Sequence, residues 1–408
     1  MDTAVEPAPF GAASRHPVLY DGRGGAVASL ALKNVLLTIV TLGVYRFWAK
    51  TRMRRYLWSH VGFQGERFEY TGTGVELFLG FLIVLVFFVL FTGTYSALLL
   101  TVFLDDPVGQ FGVKAAYLLI FMFLYNYAVW RARRYRLSRS QWRGVRGGLT
   151  GSGWRFAAVA FGFDALRLLS LGLLYPWTRL RLQRMMMNDS WFGDRRFHFD
   201  GSARPLLASW LPMYIPGLLL FACVAYVAVT YGDHAAAMRA GYVPPFGQDL
   251  IAILPLALLV LLPATAILYI RYRVREFRLF AAYTRYESLG FESTLRTRSV
   301  LGRYLLYGVL AFVAYIVIAL IAVGGAIGLV GVQADPATTT TVIVILFLVI
   351  LPVLSILRYV IVVHGLAKRI FASLTVVGAF DFDTIVQSTQ AKPRRGEGLA
   401  EMLDIGAV

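Results

Sequence analysis

The residues best placed to do chemistry in this sequence carry guanidinium groups. The stretch "WAKTRMRRYLW", Trp48 to Trp58, sets Lys50, Arg52, Arg54 and Arg55 among aromatics. The motif R-x-R-x-x-R returns as Arg131, Arg133 and Arg136 in "RARRYRL" and as Arg273, Arg275 and Arg278 in "RVREFRL". A looser copy, "RLRLQRM", carries Arg179, Arg181 and Arg184. Such clusters suit nucleic-acid phosphates, an acidic ligand or partner, or the anionic headgroups of a membrane. Position separates the three. Each copy lies within a turn or two of an apolar segment, with Trp48, Trp58, Trp130 and Trp177 interleaved. Arginine and tryptophan in that setting describe an interfacial belt. Anionic membrane lipids are the expected partners and nucleic acid is not; no particular protein partner is indicated.

Other chemistry is sparse. His16, His60, His198, His234 and His364 are scattered and no H-E-x-x-H occurs, so no metal site is expected. No nucleophile elbow accompanies a histidine and an acid. The expectation is a protein that is not an enzyme and needs no cofactor. Glycine pairs recur in "YDGRG", "YTGTG" and "LTGSG". G-x-G alone is a weak phosphate-loop signal, and these read better as tight turns where the chain enters a bilayer. Polar residues inside apolar segments form a second set of candidates. Asp164 and Arg167 share a helical face and can neutralise each other, with a gate or polar-ligand contact as the alternative. Lys33 and Asn34 suit snorkelling from the first segment, and Asn126 suits a hydrogen bond to a neighbouring helix.

These groups must be held by membrane elements. The chain is 58% hydrophobic and 15% charged, with a mean hydropathy of +0.64 and a net charge of +17. Soluble domains are about a quarter charged. The single cysteine, Cys223, excludes a disulfide framework, and residues 1–27 do not read as a cleavable signal peptide. Eight segments are apolar, near 28–46, 77–103, 112–130, 155–175, 206–230, 248–270, 304–332 and 341–363. The loops 131–155, 176–204 and 271–303 carry eight, six and eight arginines, whereas the turns near 104–111, 232–247 and 333–340 are acidic or neutral. Positive loops stay cytoplasmic. If 155–175 crossed, one of two basic loops would face outward, so 28–46 and 155–175 are expected to be re-entrant or interfacial. The other six pair into three hairpins.

A repeat supports this organisation. Shifted by 129 residues, "TLGVYRFWAKTRMRRYLW" lies on "SLGLLYPWTRLRLQRMMM" without a gap. Short alternating stretches, "RFEYT" and "RFHFD", read as strands before the glycine turns. The expected fold is an all-α polytopic membrane protein with three transmembrane hairpins, two re-entrant or interfacial helices, short cytoplasmic β-strand elements and internal repeats. Its expected parts are an N-terminal segment 1–27, repeat units 28–148 and 149–302, a third hairpin 303–370 and a C-terminal tail 371–408. Prolines at 212, 216, 255, 263 and 352 interrupt the later segments, as in transporters with broken helices and in membrane helices generally.

"NVLLTIVTLGVYRFWAKTRMRRYLW" followed by "GERFEYTGTGVELFLGF" resembles the signature of the YjgN family of bacterial inner-membrane proteins. "RYRLSRSQWRGVRGGL" and "GLLYPWTRLRLQR" resemble two further stretches of it. The resemblance runs from about Tyr20 to Arg369 and weakens after about residue 275. It implies a multi-pass protein of the bacterial inner membrane, and it brings no catalytic residues. The charge pattern places both termini in the cytoplasm. Two functions stay open: a transporter or channel-like protein for a polar or anionic solute or lipid, and a scaffold binding anionic lipids or a partner through its basic face.

Overall fold

The structure, a computed structural model, describes residues 14–239, 248–331, 341, 350–390 and 393. Its organising element is a β-sheet. Four basic helix ends run into hairpins: β3 (Val61–Phe63) with β4 (Glu66–Tyr70), and β5 (Ser140–Trp142) with β6 (Val145–Leu149). The other two are β7 (Ser190–Phe192) with β8 (Arg195–Phe199), and β9 (Thr284–Tyr286) with β10 (Leu289–Ser293). Each turn has two residues, and its first, Gln64, Arg143, Gly193 or Glu287, has φ between 49° and 62°. Positive φ there lets the turn follow the strand twist.

The chain ends complete the sheet. β1 (Arg15–Pro17) pairs antiparallel with β11 (Leu374–Val377), and β2 (Leu19–Tyr20) pairs with β3. The eleven strands follow the order β1-β11-β10-β9-β8-β7-β6-β5-β4-β3-β2. The two ends of that order are separated by Val18 alone, so one bent stretch covers both edges and the sheet is a near-barrel. This overturns the all-α expectation with minor strand pieces. The strands are two to five residues long, and β3, β5, β7, β9 and β11 start at or just after helix ends, too short to show an alternating run of their own. The closing pair joins residues 15–17 to 375–377, beyond any local pattern.

Among the described residues the α-helices join the barrel at one rim, and the four hairpin turns form the opposite rim. A short helical hairpin, α1 (Gly24–Val40) and α2 (Arg46–Ser59), links β2 to β3; its equivalent, α5 (Gly153–Leu169) and α6 (Tyr175–Asn188), links β6 to β7. Three longer pairs alternate with them: α3 (Gly74–Ala97, continuing to Val102) with α4 (Pro107–Arg139), α7 (Arg204–Arg239) with α8 (Gln248–Tyr283), and α9 (Thr297–Gly331) with α10 (Ile350–Ser373). Among the described residues, Gly74–Val102, Pro107–Arg139, Arg204–Tyr226, Thr297–Ile321 and Ile350–Ser373 are long and apolar enough to cross a membrane. They carry exposed Val86, Leu90, Leu119, Phe221, Phe312 and Leu320, a surface that lipid covers naturally. Residues 342–349 of the expected 341–363 segment, residues 240–247 of the turn near 232–247 and the whole turn near 333–340 lie outside the described residues.

At 1.5 Å per residue, α1 reaches about 26 Å from the rim and α4 about 50 Å. The 129-residue repeat persists in the dihedral angles of the short hairpins. Leu42 and Gly43 turn the first tip with φ of 49° and 90°, and Leu171 and Gly172 turn the second with 50° and 89°. After each tip the chain returns to the rim it left.

Inside the barrel, Phe63, Trp142, Tyr286, Leu289 and Val376 are buried, with Phe68, Phe192, Phe197 and Phe291 packed against them. Beyond β11 the chain lays Phe380, Phe382 and Ile385 against this cluster at the turn rim, with the Phe382 ring edge-on to Trp142 at 5.1 Å. Arg146 holds this strap by donating to the carbonyls of Ser388 and Gln390.

Candidate functional site

The three arginine positions of the repeated motif take different jobs. The last one braces the following hairpin. Arg55 Nη2 donates to the Gly72 carbonyl at 2.7 Å, Arg184 Nη2 to Gly201 at 2.9 Å, and Arg278 Nε to Ser293 at 3.2 Å. Each bond crosses from a helix to the chain leaving the next β-hairpin, so these cations hold helix and barrel together. Arg136, at the same position of its copy, is half-buried, as is Arg131, and Lys50 is buried. Arg52, Arg181 and Arg275 point outward; the first two lie over the rings of Tyr45 and Trp177 at 5.3 Å each.

The remaining three converge. Arg133 of α4, Arg179 of α6 and Arg273 of α8 line one chamber of about 470 Å³ where the helices meet the barrel. Gln183 and Met187 extend the α6 wall, and Glu276, Phe277 and Phe280 extend the α8 wall. Their spacings of three and four put them on single helical faces. Phe197, Thr284, Phe291 and Leu374 of the barrel form the floor.

Glu276 is the chamber's one acid, with a side chain only 3% exposed. It accepts from Arg179 Nε at 2.9 Å and pairs through its other oxygen with Arg273. Arg133 has no such partner. Its Nη2 rests on the Met187 sulfur at 2.7 Å, and its Nε is shut away from solvent with no hydrogen bond. The lining thus sets three guanidiniums against one carboxylate, a surplus of two positive charges. Guanidinium forks match the geometry of carboxylate and phosphate oxygens.

Asn126, Asp164 and Arg167 satisfy one another. Asp164 accepts from Asn126 Nδ2 at 2.7 Å and from Arg167 Nη1 at 2.8 Å. Arg167 Nε also donates to Thr178 Oγ1 at 2.6 Å. The set ties α4, α5 and α6 together, as an internal ion pair should. Asn34 is buried and donates to the Ala49 carbonyl at 3.4 Å, while Lys33 is exposed. In two of the glycine pairs the second glycine serves packing. A Cβ at Gly74 would lie 2.6 Å from Trp48, and one at Gly153 the same distance from Trp130.

Between β2 and α1, Asp21 accepts from Arg67 Nη2 at 2.6 Å, which holds that carboxyl below its usual range. Burial pushes Asp189 the other way and raises the Tyr286 phenol to about 12.

A family model described as "Bacterial protein of unknown function (DUF898)" matches residues 15–402. The chain belongs to this family. Similar curated proteins are named "Inner membrane protein YjgN". The one from Escherichia coli K12 is 31% identical over 39% of this chain and 37% of its own length. The one from Escherichia coli O157:H7 is 34% identical over 32% and 30%, and the one from Salmonella typhimurium is 35% identical over 18% and 19%. The matched region therefore spans about a third or less of these relatives. No solved structure matches the chain.

Glu276 and Met187 escaped sequence reasoning. A signal for Glu276 existed: "RVREFRL" is the one copy of the basic motif that contains an acid. Met187 had none, because a methionine at a helix end reads as ordinary packing.

Proposed function

We propose that this is an integral inner-membrane protein, with its barrel and both termini on the cytoplasmic side, that recognises an anionic group of a lipid or solute in the chamber at the helix-side mouth of the barrel. The reading rests on the chamber's composition, three guanidiniums against one carboxylate with Arg133 unpaired. Its membrane setting draws support from the apolar helices and the names of the family's relatives. The orientation follows from the arginine excess at the rims.

The chamber lies where the arginine-bearing helix ends meet the sheet, at the level of headgroups rather than the bilayer centre. That favours binding at the membrane surface, as in a lipid-responsive scaffold, over passage across it. Outward Arg52, Arg181 and Arg275 supply a general attraction worth about 1 kcal/mol each near an anionic leaflet.

The test is thermal unfolding of the purified full chain in a neutral detergent with inorganic phosphate, citrate, phosphatidylglycerol or phosphatidylcholine added. The anions should raise the midpoint and phosphatidylcholine should not. Equal responses to anionic and choline lipids, with none to phosphate or citrate, would sink the reading.

A further inference from the structure

We infer that the chamber selects a phosphate monoester over a phosphate diester. The inference rests on the reading of the chamber as an anion site and adds the ligand's charge and chemistry. Arg133, Arg179 and Arg273 carry three positive charges, and Glu276 cancels one. A monoester carries about −1.5 to −2 near pH 7 and balances the surplus of two. A diester carries one negative charge and leaves one positive charge of the lining uncompensated.

Geometry agrees with the charge count. Glu276 already holds Arg179 and Arg273 through one oxygen each, which fixes two guanidiniums side by side. Arg133 approaches from a different helix with Nη2 on a thioether and Nε unbonded, so it is the group a ligand must satisfy. A terminal phosphate presents three oxygens to donors converging from three helices, whereas a diester gives up one of these to its second ester link. Phe277 and Phe280 on the wall leave an apolar side for the ester's organic part. The monoester comes from one of two sources, a lipid such as phosphatidic acid or a soluble phosphate ester.

The experiment uses the full chain in phosphatidylcholine nanodiscs doped with phosphatidic acid or phosphatidylglycerol, and separately in neutral detergent with glycerol phosphate. Apparent affinity is read from the unfolding midpoint as the dopant is titrated. Four proteins are compared: wild type, Arg133→Gln, Met187→Glu and Arg134→Gln, the last an exposed neighbour outside the chamber. Met187→Glu places a carboxylate against Arg133 and neutralises it from within, so it should fold even if Arg133→Gln does not.

Wild type and Arg134→Gln should bind the monoester about tenfold more tightly than the diester, and Met187→Glu should lose that preference. A response to phosphatidic acid alone assigns the lipid source, and an equal one to glycerol phosphate assigns the soluble source; either supports the inference. Equal affinity for both lipids, lost in Met187→Glu, would overturn monoester selection and leave the anion site standing. Anion responses unchanged in Met187→Glu would remove the chamber itself from the account.

Discussion

Replacing Arg133 by methionine should stabilise the protein when no anion is present. The Arg133 Nε is buried without a partner, and its other contact is the Met187 sulfur. Relieving one unsatisfied buried donor recovers about 1–3 kcal/mol. Arg133 is half-buried overall, and water reaching part of the side chain lowers the gain to about 1 kcal/mol. A methionine follows the arginine stem as far as the Nε position, packs beside Met187, and takes one like charge away from Arg179. With ligand at a hundred times its dissociation constant, the wild type should gain about 2.7 kcal/mol by linkage. The order of stability should therefore cross as ligand is added. Equilibrium unfolding in phosphate-free neutral detergent, followed by the same series with phosphatidic acid, measures both limbs. An Arg133→Met protein less stable than wild type without ligand, or parallel curves that never cross, would refute the idea of an uncompensated cation.

Other expectations follow from the same contacts. Arg184→Ala removes the bond to the Gly201 carbonyl and should cost about 1–2 kcal/mol in unfolding experiments; Arg181→Ala, on the exposed side, should stay within about 0.5 kcal/mol. Leu42 is 94% exposed in the protein, yet in a Cys223→Ser background Leu42→Cys should resist a water-soluble maleimide in bilayers, while Gln64→Cys at the turn rim reacts from the cytoplasmic side. Rapid labelling of both positions in bilayers would place the first tip in water. Arg67 lowers the Asp21 pKa from 3.8, so this ion pair stabilises the fold above that value and its contribution fades as pH falls through the lowered one. Asp21→Asn should flatten that acid limb, and with the pair exposed the change should be small.

How much of this was legible beforehand varies by element. The long helices were readable because twenty apolar residues are needed to cross a bilayer. The equivalence of the two short hairpins was readable because Leu42, Gly43 and Trp48 recur as Leu171, Gly172 and Trp177. The barrel was hidden. Its three-residue strands β3, β5, β7 and β9 follow helices so closely that helical periodicity masks them. "RFEYT" and "RFHFD" exposed only the longer partners, β4 and β8. The arginines were readable as a set but not by role, since helix rotation sends Arg55 to a carbonyl, Arg52 outward and Arg133 into the chamber. The ion pair of Asp164 and Arg167 was readable from spacing, whereas its bond to Asn126, 38 residues away, needed the fold.

The central claim is that this protein holds an anion against Arg133. Native mass spectrometry of the wild type and Met187→Glu proteins, released gently from the same membranes, tests it most directly. The account predicts a phosphate-bearing species retained by the wild type and absent from Met187→Glu. Identical bound species on both proteins, or a wild type that carries only zwitterionic lipid, would contradict it.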